Sequence, residues 1–389
     1  MMAVAALAGC ASAAPSAAPV ARTLPAAGTS ASAVTPAPAH PRAPASPLLA
    51  KLTNAQLAGQ RVIYSYKGLT PPASLLRLIR QGKAAGVIFF SDNIKSKAQI
   101  AGVASQLAKA NARATNPLHS IPLLLMTDQE GGEVRRLPGA PLLSEKQIGE
   151  SAHPAAQAKL AGTGAGKNLA SVGMDVNLAP VLDVYRSAGD FDDQFGRSYS
   201  KNPQKVSYLG ADFIKAQQAQ HVAATAKHFP GLGAASASQN TDERPVTLHV
   251  SKSSLRAIDE FPYKAAISHG VKLVMVSWAV YPALDRRRPA GLSHTIVQGE
   301  LRQRLGFKGV TITDALEAGA LRSYGTTAHR ATLAARAGMD LILCAARSVS
   351  QGSQARIALG NALSDGALGQ ASFKAAVSRI IALRTSLRH

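Results

Sequence analysis

The run Gly309-Val310-Thr311-Ile312-Thr313-Asp314-Ala315-Leu316 decides how this chain is read, because a short apolar strand carries one carboxylate to its own C-terminal end. Parallel α/β barrels keep their chemistry at that end of their strands, on the loops that follow. Pro122-Leu123-Leu124-Leu125-Met126-Thr127-Asp128 and Ala223-Ala224-Thr225-Ala226-Lys227-His228-Phe229 repeat the design, each a buried-type strand closing on ionisable side chains. Three such strands predict one polar site ringed by strand ends.

Working outward, strand-like apolar runs fall at 61–66, 86–90, 123–127, 176–184, 223–228, 273–278, 310–313 and 340–344. Amphipathic, helix-like stretches separate them at 73–81, 97–112, 155–172, 203–221, 254–269, 293–305, 327–337 and 353–363, with a last one at 372–386. Such alternation is the pattern of a parallel sheet with crossover helices. Eight strands are what closure requires, so the expected fold class is α/β, a (β/α)8 TIM-type barrel forming a single catalytic domain over 48–389. An open doubly wound sheet shows the same alternation, since strand order is not legible in sequence. The first strand is not followed by Gly-x-Gly-x-x-Gly, which argues against dinucleotide binding.

Composition sets further bounds. With 46% hydrophobic residues in 389, the chain has the material for a large core and is not disordered throughout. A formal net charge of +21 predicts attraction to polyanions such as anionic wall polymers. Aromatics make up only 5% and do not interleave with a basic stripe, so nucleic acid is not expected as a partner. Residues 11–47 are almost entirely Ala, Pro, Ser, Thr and Val with no acidic residue, the composition of a disordered, extended tether. Before it, Leu7-Ala8-Gly9-Cys10 resembles a bacterial lipobox, making 1–10 a lipoprotein-type leader and Cys10 the acylation site. Residues 1–7 lack a basic region and are short for a leader, which a start placed too far downstream would explain; a chance cysteine in an alanine-rich tail is the alternative. Cys344 closes an apolar strand and reads as a buried small hydrophobe.

Several motifs in consistent order carry a more specific message. Asp128-Gln129-Glu130-Gly131-Gly132-Glu133-Val134-Arg135-Arg136, Lys227-His228-Phe229-Pro230-Gly231-Leu232-Gly233, Pro289-Ala290-Gly291-Leu292-Ser293 and the Asp314 strand resemble family 3 glycoside hydrolases. Within that family they are most similar to the single-domain branch of β-N-acetylhexosaminidases. The resemblance implies a retaining mechanism with Asp314 as nucleophile and a covalent glycosyl-Asp intermediate, needing neither cofactor nor metal. It implies that Asp128, Arg136, Arg197, Lys227 and His228 hold the sugar. A carboxylate beside cationic donors suits paired hydroxyls. A structural Asp128–Arg136 ion pair and a core His228 bonded to a carbonyl are the plain alternatives. Gly131, Gly132, Gly231 and Gly233 read as turn devices rather than contacts.

One departure matters. Where the resemblance places an Asp-x-His pair as general acid/base, this chain has Ser238-Gln239-Asn240, and Leu232 replaces a histidine. Many two-domain relatives supply a Glu from a second domain, for which no room is expected here. Asp242 is therefore the expected acid/base, with Glu243 next to it and Asp192 and Asp193 as less favoured sources. Solvated loop carboxylates are the alternative for all four. Asp183 ends the fourth strand, positioned to orient Arg197 or to meet substrate. His249 reads as structural, Trp278 as a sugar platform or core, and Arg286-Arg287-Arg288 as a solvated rim that would favour anionic glycans if functional. The expected protein is an exported, lipid-anchored exo-β-N-acetylglucosaminidase acting on N-acetylglucosamine-containing oligosaccharides from the cell wall. A β-glucosidase of the same family and a catalytically impaired wall-glycan binding lipoprotein are the alternatives.

Overall fold

The computed structural model describes residues 47–113 and 117–387. The leader, Cys10 and all of the tether but residue 47 lie outside the described residues. Eight parallel strands form the central sheet: β1 (Val62–Tyr64), β2 (Gly86–Ile88), β3 (Leu124–Thr127), β4 (Val176–Asn177), β5 (Ala223–Phe229), β6 (Leu273–Val276), β7 (Val310–Thr313) and β8 (Ile342–Leu343). Each pairs with its chain neighbour from β1 to β7, and β8 returns to β1 with Val62 opposite Ile342. Between β7 and β8, the Thr313 N–H donates to Leu341 O at 3.0 Å and the Leu341 N–H to Thr311 O at 2.9 Å. These bonds close the circle, so the sheet is a barrel and the open doubly wound alternative falls.

Strand residues alternate between two cores, as a period of two demands. Ile63, Ile88, Leu124, Met126, Val176, Met275 and Ile312 fill the barrel, and Ile380, Leu383 and Leu387 from the last helix plug its lower end. Val62, Tyr64, Val87, Leu125 and Val274 point outward into a second layer shared with the helices. Each fully buried Leu or Ile contributes roughly 2 kcal/mol. The helix Gln370–Ser386 is pinned by Arg384, only 1% exposed, whose guanidinium donates to Pro122 O at 2.6 Å and Ile121 O at 3.0 Å just before β3.

Three expected elements differ in form; one of them, 254–269, opens as a π-helix over Leu255–Asp259 before an α-helix at Phe261–Ser268. The run 176–184 yields a two-residue ladder and then an isolated bridge from Val181 to Lys227. Pro180, without an N–H, cannot continue a regular ladder. The stretch 293–305 winds as a π-helix over Thr295–Arg304, ending with the Leu305 N–H on Glu300 O at 3.0 Å.

Candidate active site

Asp128, Lys227 and Asp314 all stand at the C-terminal ends of barrel strands, as expected. Lys227 Nζ lies 2.8 Å from Asp128 Oδ1 and 2.7 Å from Glu130 Oε1. Glu130 in turn takes a bidentate fork from Arg197, at 2.8 Å from Nε and 2.9 Å from Nη2. The third Arg197 nitrogen, Nη1, donates to Asp192 at 2.9 Å. Burial alone would raise the Glu130 carboxyl, yet Arg197 and Lys227 outweigh that and hold it at about 2. It is an anion at neutral pH, bonded to both Arg197 and Lys227.

A second chain of contacts runs through His228. Its Nδ1 sits 2.7 Å from Asp183 Oδ2, and Asp183 also accepts the Leu232 N–H at 2.6 Å and the His228 N–H at 3.2 Å. Burial opposes both charges, but the contact prevails: the imidazole is shifted up and the Asp183 carboxyl down. Asp183 therefore orients His228; Arg197 is held by Glu130 and Asp192 instead. Although Asp192 touches Arg197, burial and then the Asp183 charge push its carboxyl up to about 7. Ligand atoms of Asp183, Asp192 and His228 lie within 4.8 Å of one another, which would suit a cation. His228 Nδ1 and the Asp183 carboxylate are taken by one another and by backbone amides, and Asp192 Oδ1 by Arg197, while Asp192 Oδ2 is buried with no hydrogen-bond partner among the described residues.

Asp314 is half-buried. One oxygen accepts the Ala315 N–H at 2.7 Å, and no donor meets the other among the described residues. A carboxylate anchored by one oxygen and open at the other has the form a nucleophile needs. Trp278 braces this loop from beneath: it is 1% exposed, and its indole N–H donates to Ala315 O at 2.8 Å. It belongs to the core and offers no face to a sugar.

The loop after β5 carries the remaining carboxyls. Gly231, at φ 138°, adopts a backbone that side chains rarely tolerate, and a Cβ on Gly233 would lie 2.2 Å from Val184 O. Gln239 and Asn240, in the stretch that replaces the implied Asp-x-His pair, are turn residues. The Gln239 side chain accepts the Ser236 N–H at 2.8 Å and that of Asn240 the Asp242 N–H at 2.9 Å. The turn is fastened to the loop after β7, where the Gly319 N–H donates to Asp242 O at 2.7 Å and the Ala320 N–H to Thr241 O at 3.0 Å. The Asp242 carboxyl is exposed at the mouth, yet the surrounding protein and then the charge of Asp314 raise it to about 6.

The other expectations divide clearly. Arg136 donates its backbone N–H to Asp128 O at 3.2 Å, and its Nε is buried with no hydrogen-bond partner among the described residues. Asp128 pairs with Lys227, so the Asp128–Arg136 ion pair does not form. Asp193 faces away to Lys146 at 2.8 Å, and Glu243 meets Arg244 at the exposed surface. His249 is exposed on the outer loop. Glu130 is the residue that sequence reasoning passed over. It stood inside the quoted Asp128 run, two positions on, but its partners come from loops far along the chain.

The model of the glycosyl hydrolase family 3 N-terminal domain matches residues 55–383. The chain belongs to glycoside hydrolase family 3. It is 45% identical over 330 residues to a secreted glycosyl hydrolase of Arthroderma benhamiae, covering 85% of this chain and 93% of that one. A β-N-acetylhexosaminidase of Beutenbergia cavernae superposes with a TM-score of 0.77 at 30% identity, over 86% of this chain and 99% of that one. A family 3 β-N-acetylglucosaminidase of Paenibacillus sp. superposes with a TM-score of 0.81 at 31% identity, over 86% of this chain and 63% of that longer one. Family membership makes the protein a hydrolase of O-glycosyl bonds on a barrel, with the site just described at its mouth.

Proposed function

We propose that this family 3 hydrolase is a retaining exo-β-N-acetylglucosaminidase in which Asp314 is the nucleophile and Asp242 the general acid/base. The observation that carries the reading is the pair itself. Asp314 presents an open oxygen, and Asp242, fastened over the same loop, is held at about 6 by its surroundings. A carboxyl that keeps its proton to higher pH, set beside a carboxylate with a free oxygen, is what the two halves of the reaction need. In the first half, Asp314 attacks the anomeric carbon while Asp242 delivers its proton to the leaving oxygen. In the second, Asp242 takes a proton from water, which displaces Asp314 and restores the carboxylate. Asp128, Lys227, His228 and the Glu130–Arg197 pair would grip the hydroxyls of the terminal sugar and close off the floor of the site.

The N-acetylglucosamine preference is supported by the relatives from Beutenbergia and Paenibacillus, and export by the secreted relative. A wall-derived disaccharide is the natural substrate that fits an exported enzyme, with Cys10 as its lipid anchor. Three substrates offered side by side test the assignment: an aryl β-N-acetylglucosaminide, the matching aryl glucoside, and an N-acetylglucosaminyl muramic-acid disaccharide. Release from both N-acetylglucosaminides but not the glucoside is expected. Release from the activated compound alone would remove Asp242 as an acid, and silence on all three would leave a glycan-binding protein. For Cys10, incorporation of a labelled fatty acid that Cys10→Ala abolishes is expected; equal labelling of both would remove the anchor.

A further inference from the structure

A second polar recess of about 400 Å3 opens beside Arg61 and Met339, the residues just before β1 and β8. It lies at the strand starts, away from the strand ends that carry the active site. Arg61, His294, Arg336, Gly369, Ser372 and Arg379 are among its lining residues. Its charges do not balance. Asp340, fully buried, takes Arg302 at 2.6 Å and Arg379 at 2.7 Å. The guanidinium of Arg61, 2% exposed, lies over the Phe373 ring at 4.3 Å from its centroid and hydrogen-bonds only main-chain oxygens: Nε donates to Asp340 O at 3.1 Å and Nη2 to Met339 O at 2.5 Å, while Nη1 has no acceptor among the described residues. Arg336 makes no ion pair among the described residues and stands exposed at the rim. Asp340 thus answers Arg302 and Arg379 directly, while Arg61 and Arg336, both lining the recess, have no carboxylate bonded to them among the described residues. Burial depresses Arg61 to about 10, only partly offset by the nearby charge of Asp340.

The recess adds backbone donors to these side chains. Gly369 opens the helix Gln370–Ser386 without a side-chain cap, and both Gly369 and Ser372 line the wall. Helix starts of this length carry free N–H groups and partial positive charge. Guanidinium forks beside such amides match a tetrahedral oxyanion better than a lone carboxylate. The volume suits a small molecule, within the usual range of about 300–1,000 Å3 for ligand clefts.

We propose that this recess binds a small phosphate ester, its phosphate held by Arg61, Arg336, Arg379 and the start of the last helix. The ester is soluble; a lipid headgroup offers the same phosphate, and the test separates the two.

Calorimetry and thermal unfolding of the full chain would use a hexose 6-phosphate, the unphosphorylated hexose, and vesicles of phosphatidylglycerol. The phosphate ester is expected to bind and raise the Tm, and the free hexose to do neither at this recess. Arg336→Glu should weaken binding of the ester about tenfold or more, the loss of one charge-assisted contact, with aryl glycoside turnover unchanged. Ser372→Glu provides a second variant. It puts a carboxylate in the recess while favouring the helix start, so it keeps the fold and should also abolish the Tm shift. Binding of equal strength in both variants, no binding of the ester, or retention on vesicles without binding of the soluble ester would each overturn the proposal.

Discussion

Asp314 and Asp242 are both aspartates at the barrel mouth, and their surroundings alone separate their roles. Asp314→Asn should abolish turnover of every substrate, measured as aryl release in a burst or steady-state assay. Asp242→Asn should lower kcat on the natural disaccharide by roughly 10²–10⁴-fold and cost far less on an activated aryl glycoside, whose leaving group departs without a proton. Because the Asp242 carboxyl is raised to about 6, it is protonated below that pH and loses its proton above it. The kcat/KM for the disaccharide should therefore fall as pH rises through about 6, and that limb should vanish in Asp242→Asn. Glu130→Gln leaves Arg197 and Lys227 with less than their full countercharge and should cost on the order of 3 kcal/mol, read as a lowered denaturation midpoint. Asp314 was legible because a strand, a turn and a motif all point to it. Glu130 was not, because one carboxylate in an acidic run looks like another until its partner, 67 residues away in the chain, is known.

At the scale of elements, the eight strands were legible because parallel strands buried on both faces leave uninterrupted apolar runs. Their lengths were not: pairing in a closing barrel is set by stagger between neighbours, which no local run reports. The loops were legible only where a motif spoke for them. Nothing local says that the Thr241-Asp242 turn is fastened to the loop after β7, since the two fastening bonds join segments more than 70 residues apart. Gly319 makes that docking sterically feasible, because a Cβ there would lie 2.1 Å from Glu243 O. Gly319→Ala should push the Asp242 turn off its seat. The expected signature is a drop in turnover of the natural disaccharide greater than that of the aryl glycoside, with the nucleophile left working.

For the whole molecule, two buried carboxyls away from the sugar floor oppose Glu130 in their pH response. Asp175 and Asp259 are raised, chiefly by burial, to about 7 against an ordinary 3.8. Their contribution to stability is full below about 3.8 and is lost as pH rises through about 7. Glu130, lowered to about 2 from 4.5, contributes above about 4.5 and loses that contribution as pH falls toward 2. Wild-type Tm should decline between mildly acidic and mildly alkaline buffer. Asp175→Asn, which keeps an acceptor for the Leu125 N–H, should decline less.

Closure of the barrel through β8 has a cost during synthesis. The first strand finds one of its two neighbours only after nearly the entire domain has left the ribosome, so any shorter nascent chain shows two naked edges to its surroundings. A loss of the last strand would not merely loosen the enzyme; it would turn the polypeptide into a template for clumping with its own copies.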